Sequence, residues 1–212
     1  MTDNSHLCIL TILSIIKIYM NLYHSKRKMY KNAMYVANHT SFMDIYFVAM
    51  ALGFRSNYKF VAKKELMKIP FIGRAIKVCD HIVLDRSSRR SQLETYKKSV
   101  KALKTDGVGV VTFAEGTRSR TGVLGEFKKG AFKMAQSAGV PIVPVSVGYA
   151  QHVQPIGYVF PVKPSRFGKT KATIVIGKPV ETKGKSDEEL LTEVRQTMIE
   201  NLPESQRPST EI

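Results

Sequence analysis

Asp44 follows His39 by five residues, within the run Asn38-His39-Thr40-Ser41-Phe42-Met43-Asp44. The run lies between an apolar, β-rich stretch and a helix-like segment. A histidine at such a junction stands at a sheet edge, where α/β folds bind ligands. A carboxylate in the first helical turn can reach back to one imidazole nitrogen. It would fix the tautomer and support the imidazolium, leaving the other nitrogen free to take a proton. That is general-base chemistry. The same spacing has a plainer reading: Ser41-x-x-Asp44 is also a capping-box pattern, in which Asp44 satisfies a backbone donor. The two roles are compatible, because a helix N-terminus favours a carboxylate.

A second constellation is Phe113-Ala114-Glu115-Gly116-Thr117-Arg118-Ser119-Arg120. Its glycine lets the backbone approach a ligand, Thr117 and Ser119 can donate hydrogen bonds, and Arg118 can fork onto a phosphate. Lys128 and Gly130 follow at a helix start, a position that favours anions. The alternative is an exposed turn with solvated charges. Asp85-Arg86 closes a third strand-like run. Arg86 is either a ligand at a strand end or half of a structural ion pair, and Arg89 and Arg90 read as solvated. The run Val140-Pro141-Ile142-Val143-Pro144-Val145 has two prolines, which limit strand pairing and stiffen a wall. The two cysteines, Cys8 and Cys79, form no disulfide framework. The scattered histidines fit no metal motif, so no metal is expected.

These residues need a scaffold. The apolar, β-rich runs are 34–38, 58–62, 81–85, 108–114, 142–147 and 172–177. Helix-like segments between them cover Ser41 to about Leu52, Ser88–Lys104, and Lys128–Ser137, the last stopped by Gly139 with Pro141 beyond. Continuous apolar strands alternating with helices predict an α/β fold: one domain, with a mostly parallel or mixed central sheet flanked by helices.

The segment Leu7–Tyr23 is slightly shorter than the ~20 apolar residues of a spanning helix and contains Lys17. Thr11, Ser14, Lys17 and Asn21 form one polar stripe. That pattern predicts an amphipathic N-terminal helix lying in a membrane interface. Lys26, Arg27, Lys28 and Lys31 follow, each attracted to anionic headgroups by roughly 1 kcal/mol. A helix packed on the core, or a short tilted span, are the alternatives. In a span, the basic cluster would put the domain on the cytoplasmic or an equivalent face. A signal peptide would carry its positive charges ahead of the apolar run, not after it. The expected organisation is residues 1–30 for membrane association, 31–202 for the catalytic domain and 203–212 as a disordered tail.

The 212 residues carry 33 Lys+Arg against 17 Asp+Glu, a net charge of +16. Such a surface attracts polyanions: nucleic acid, an anionic bilayer or phosphorylated ligands. The basic residues are spread through helices without a nucleic-acid motif, so nucleic acid is not the expected partner.

In order and spacing, these blocks resemble the glycerolipid acyltransferase family, most closely its 1-acylglycerol-3-phosphate acyltransferases. Asn38–Asp44 is similar to that family's N-H-x-x-x-x-D block, Asp85-Arg86 to the end of its second block, and Phe113–Ser119 to its F-P-E-G-T-R-S block. Val140–Val145 resembles its V-P-[IV]-[VI]-P-V block, and Lys63–Leu66 with Ile69 to Gly73 its linking segment. Ala114 stands where the family usually has proline. The resemblance covers about residues 34–180. It implies acyl transfer from acyl-CoA or acyl-carrier protein, as co-substrate and without a cofactor, to lysophosphatidic acid. It further implies His39 and Asp44 as catalytic residues, and Arg86, Glu115, Gly116, Thr117 and Arg118 around the acceptor, with Lys128 a plausible helper. Backbone N–H groups near Gly116 are the expected oxyanion donors. Other lysophospholipids or glycerol-3-phosphate are alternative acceptors.

Overall fold

A computed structural model describes residues 30–53, 57–70, 72–158 and 172–209. The Leu7–Tyr23 helix and its basic cluster up to Lys28 lie outside the described residues. Among the described residues, no helix is long and apolar enough to cross a membrane.

Six strands form one sheet: β1 (Met34–Ala37), β2 (Tyr58–Lys63), β3 (Ile82–Leu84), β4 (Gly109–Phe113), β5 (Ile142–Gly148) and β6 (Thr173–Ile176). Their order is β3-β2-β4-β1-β5-β6. All pairings are parallel except β5 with β6. Every residue of β1 and β5 is buried, as expected of central strands covered on both faces. Pro144 is tolerated in β5 because the register slips by one residue between the Ile142–Val180 bridge and the Val145–Ile176 pair. Its missing N–H falls opposite this interruption, while its carbonyl still accepts from Gly177.

The helices are α1 (Asp44–Leu52), α2 (Ile72–Val78), α3 (Arg89–Lys104), α4 (Gly130–Ala138), α5 (Ala150–Val153) and α6 (Asp187–Asn201). A 3₁₀ turn over Lys64–Lys68 follows β2. α1 and α5 pack Phe47, Val48, Ala150 and Val153 on one face of the sheet. α3, α4 and α6 pack Leu103, Phe132, Leu190, Val194 and Met198 on the other. α4 ends at Gly139, in the left-handed region at φ 67°, the stop expected there. α6 has no counterpart in the periodicity reading, although Ser186 and Glu189 form a complete capping box ahead of it.

The expected disordered tail is corrected from residue 203 to 209. A second 3₁₀ turn covers Glu204–Gln206, and Gln206 is buried. Its side chain accepts from Tyr149 N at 2.7 Å and donates to Gly122 O at 3.1 Å, while its carbonyl accepts from Leu124 N. A polar composition suggested solvent. Here the polar amide is instead used to satisfy buried backbone groups.

Candidate active site

β1 delivers Asn38 and His39 to the carboxyl edge of the sheet. The Asn38 amide continues the β1–β5 ladder by side chain: Nδ2 donates to Val147 O at 2.9 Å and Oδ1 accepts from Val147 N at 2.7 Å. His39 is then held by its own backbone. Its N–H donates to Glu115 Oε1 at 2.9 Å, and its carbonyl accepts from Ser119 N at 2.7 Å. The imidazole stacks on Phe113 with centroids 4.1 Å apart.

His39 Nδ1 lies 2.8 Å from Asp44 Oδ2. The same oxygen accepts from Thr40 N at 2.6 Å and Ser41 N at 2.8 Å. Asp44 is fully buried, and among the described residues its Oδ1 has no hydrogen-bond partner, like the neighbouring Thr40 Oγ1. Both readings of the spacing therefore hold in one carboxylate, which orders the loop backbone and sits on the imidazole. Only half of the capping box forms: Ser41 Oγ accepts from Met43 N and donates to Gln154 O. With Nδ1 committed to Asp44, Nε2 is the nitrogen left for a proton.

Three cations gather beside this pair. Gly116 has φ +69°, and a Cβ there would stand 3.0 Å from a terminal nitrogen of Arg86. The Arg86 guanidinium thus lies over the turn whose preceding residue holds His39. Lys63 is depressed below the usual lysine range, first by desolvation and then by the Arg86 guanidinium, with Arg118 adding to it and Glu65 opposing. Clustered like charges of this kind suit an anion. A structural ion pair for Arg86 is not found among the described residues. Asp85 is instead taken by Lys64 at 2.9 Å, and together with Ser87 that holds its carboxyl at about 2.

The structure brings together His39, Asp44, Glu115, Gly116 and Arg86, with Arg118 near Lys63. Thr117 and Lys128 are exposed at the same edge, and among the described residues their side chains make no hydrogen bond or ion pair. Two expectations change. Glu115 is buried, and its oxygens serve two backbone N–H groups, those of His39 and of Gly125 at 3.1 Å. Burial raises its pKa above the ordinary carboxylate value, against those hydrogen bonds. It braces the site; a carboxylate facing inward is no partner for a phosphate. The Gly116 N–H is spent on Phe113 O, so an oxyanion donor near it has to come from a neighbouring residue. Lys63 was missed as a site residue. Its signal was a lysine closing a strand, as Arg86 follows one.

The fold and site thus define an α/β protein whose mixed sheet carries an imidazole–carboxylate pair, with cations beside it, at the carboxyl edge of its parallel strands. The sequence model of the Acyltransferase family matches residues 20–148, and the chain belongs to that family. It is 42% identical over 123 residues to the chloroplastic 1-acyl-sn-glycerol-3-phosphate acyltransferase BAT2 of Brassica napus, covering 58% of this chain and 35% of that protein. It is 35% identical over 170 residues to the chloroplastic 1-acyl-sn-glycerol-3-phosphate acyltransferase LPAT1 of Arabidopsis thaliana, covering 80% and 45%. The chain thus spans between a third and a half of the length of these relatives. The crystal structure of the 1-acyl-sn-glycerophosphate acyltransferase PlsC from Thermotoga maritima superposes with a TM-score of 0.71 at 30% identity, covering 93% of this chain and 80% of that one.

Proposed function

We propose that this chain transfers an acyl group from a thioester donor, acyl-CoA or acyl-carrier protein, to the sn-2 hydroxyl of 1-acylglycerol-3-phosphate, forming phosphatidic acid. The names of the relatives support the acceptor class. The observation that carries the chemistry is the His39 Nδ1–Asp44 Oδ2 pair at 2.8 Å, with the Arg86 guanidinium against the Gly116 turn whose preceding Glu115 holds His39.

In this reading the acceptor's phosphate sits on the cations, which places its hydroxyl at His39. Nε2 takes the hydroxyl proton as the oxygen bonds to the thioester carbonyl carbon. Asp44 supports the imidazolium. The carbon–sulfur bond then breaks, and the departing thiolate takes the proton from His39 and leaves as a thiol. Thr117 or Arg118 supplies an N–H to the transient oxyanion. Direct attack is favoured over an acyl-enzyme because Ser41 Oγ is turned to Gln154, Thr40 Oγ1 is buried, and Cys79 lies past the far end of α2. Peripheral association with an anionic membrane fits the charge and keeps both lipids within reach.

The test is purified full chain with lysophosphatidate and a ladder of acyl-CoA lengths, with acyl-carrier protein in a second arm, read by mass spectrometry. Phosphatidic acid should appear, and His39→Ala should lower the rate by about 10²-fold or more. Absence of product with every donor, or a folded His39→Ala protein with unchanged turnover, would overturn the proposal.

A further inference from the structure

The helices on one face of the sheet divide their charge. α3, which packs on β3 and β4, carries Arg89, Arg90, Lys97, Lys98, Lys101 and Lys104 against Glu94 alone. α6, which packs on β5, carries Asp187, Glu188, Glu189, Glu193 and Glu200 against Arg195. The chain's net charge of +16 does not explain this split, because α6 runs against it. α3 buries Thr95, Ser99, Ala102 and Leu103. Opposite them, Arg90, Leu93, Lys97, Lys101 and Lys104 follow at steps of three, four, four and three residues and form one exposed crest. Leu93, 53% exposed, is its apolar member. The exposed crest of α6 is Glu189, Glu193, Gln196 and Glu200.

On the α3 crest, Arg90 is shared with Glu94 and Lys101 with Asp106. Both pairs are exposed and hold their cations weakly. From Arg90 to Lys104 the crest runs about 21 Å at the rise of an α-helix. That is far longer than one phosphate group, and it suits the acidic face of a protein. The crest also begins beside the site. Ser91 Oγ accepts from Asp85 N at 3.1 Å, and Gln92 Nε2 donates to Arg86 O at 2.8 Å. The first turn of α3 is thereby fastened to the residue whose guanidinium lies over the Gly116 turn.

We propose that the outer crest of α3 is the docking surface for an acidic protein partner, the acyl-carrier protein that presents the thioester. The inference deepens the acyltransferase reading by choosing between its two donors, and it rests on that reading. The lysines and arginines steer and orient the acidic partner, Leu93 packs under it, and the acidic crest of α6 turns it away from the far side of the helix layer. Seated on α3, the carrier passes its flexible thioester arm over Arg86 toward His39. Exposed charges around a single apolar side chain suit a partner that has to leave after each turnover. Acyl-CoA brings no protein face and makes no demand on this crest.

The test compares the full-length parent with Lys97→Glu/Lys104→Glu and with a control, Lys31→Glu/Lys77→Glu, which makes the same change in net charge at exposed lysines of other segments. One acyl chain is offered on acyl-carrier protein or on CoA, with a short-chain, water-soluble lysophosphatidate as acceptor. On the carrier, kcat/KM should fall by about tenfold or more in the α3 variant and lose much of its dependence on salt. On CoA the variant should stay within about twofold of the parent, and the control should match the parent on both donors. Anisotropy of a fluorescently labelled acyl-carrier protein should give the same order of affinities without any turnover. Equal losses on both donors, equal losses in the two double variants, or a parent that binds an oligonucleotide through Lys97 and Lys104 but not the carrier would overturn the proposal. Turnover with acyl-CoA and no binding of the carrier would also overturn it, while leaving the acyltransferase reading in place. Carrier binding at α3 without turnover of either donor would instead sink the acyltransferase reading.

Discussion

At the residue scale, Asp44 holds two jobs that substitution can separate. Its Oδ2 accepts from Thr40 N, Ser41 N and the imidazole. Asp44→Asn keeps an oxygen for the two backbone donors but removes the charge that supports an imidazolium. It should fold normally while kcat falls by about 10²–10⁴, with little change in acceptor KM. Asp44→Ala should lose the same activity and also about 2–4 kcal/mol of stability, because Thr40 and Ser41, both 1% exposed, lose their acceptor. Urea denaturation alongside steady-state kinetics distinguishes the two. An Asp44→Ala protein as stable as the parent would show that the loop does not depend on this carboxylate. Type and spacing left the pair and a helix cap as two readings, and the resemblance of the ordered blocks favoured the pair. That one oxygen serves both roles was not legible, because the spacing states reach and not direction.

At the element scale, the turn after β4 carries the site, and Glu115 is its fastener. Burial raises its pKa, so the folded protein keeps this proton to a higher pH than the unfolded chain, whose glutamates titrate near about 4.3. Between those two values the native state binds more protons, and stability must fall as pH rises. Parent stability relative to Glu115→Gln should therefore decline across that window, read by chemical denaturation at a series of pH values. A difference that stays flat or grows with pH would contradict the burial argument. The next residue makes a second prediction. Gly116→Ala forces a side chain onto φ +69° and against the Arg86 guanidinium 3.0 Å away. It should cost roughly 1–2 kcal/mol and raise acceptor KM more than it lowers kcat. Kinetics at saturating acceptor would show otherwise if kcat alone fell. Strand positions were legible to within a residue or two because β1, β4 and β5 are buried apolar runs. The inward turn of Glu115 was not, since its partners are backbone groups of His39 and Gly125, which no side-chain pattern announces. α6 escaped because its buried Leu190, Val194 and Met198 are set among charged residues, although its capping box was readable.

At the scale of the whole molecule, the two loop systems that shape the site are joined by the chain's far end. Gln206 satisfies Tyr149 N at the end of β5 and Gly122 O in the loop after β4. The same residue's carbonyl takes Leu124 N, and Arg207 Nε donates back to Leu202 O at 2.9 Å. A glutamine in a polar C-terminal run carries no sequence signal for this, because its value depends on which backbone groups the fold leaves unpaired. With Gln206 1% exposed, Gln206→Ala strands one half-buried N–H and one buried carbonyl, a loss of about 1–3 kcal/mol. Truncation after Leu202 removes the Leu124 contact as well and should cost more. Since Gly122 lies on the loop that carries Ser119 and Arg118, and Tyr149 leads to the turn tied to Ser41, both changes should loosen the site as well as the fold. Hydrogen exchange is the direct readout: amides of Leu124 and Tyr149 should lose protection first in Gln206→Ala, while those of β2 and α3, which Gln206 does not touch, stay protected. Uniform loss across the sheet would mean that the tail acts on global stability alone and does not hold the two loops together.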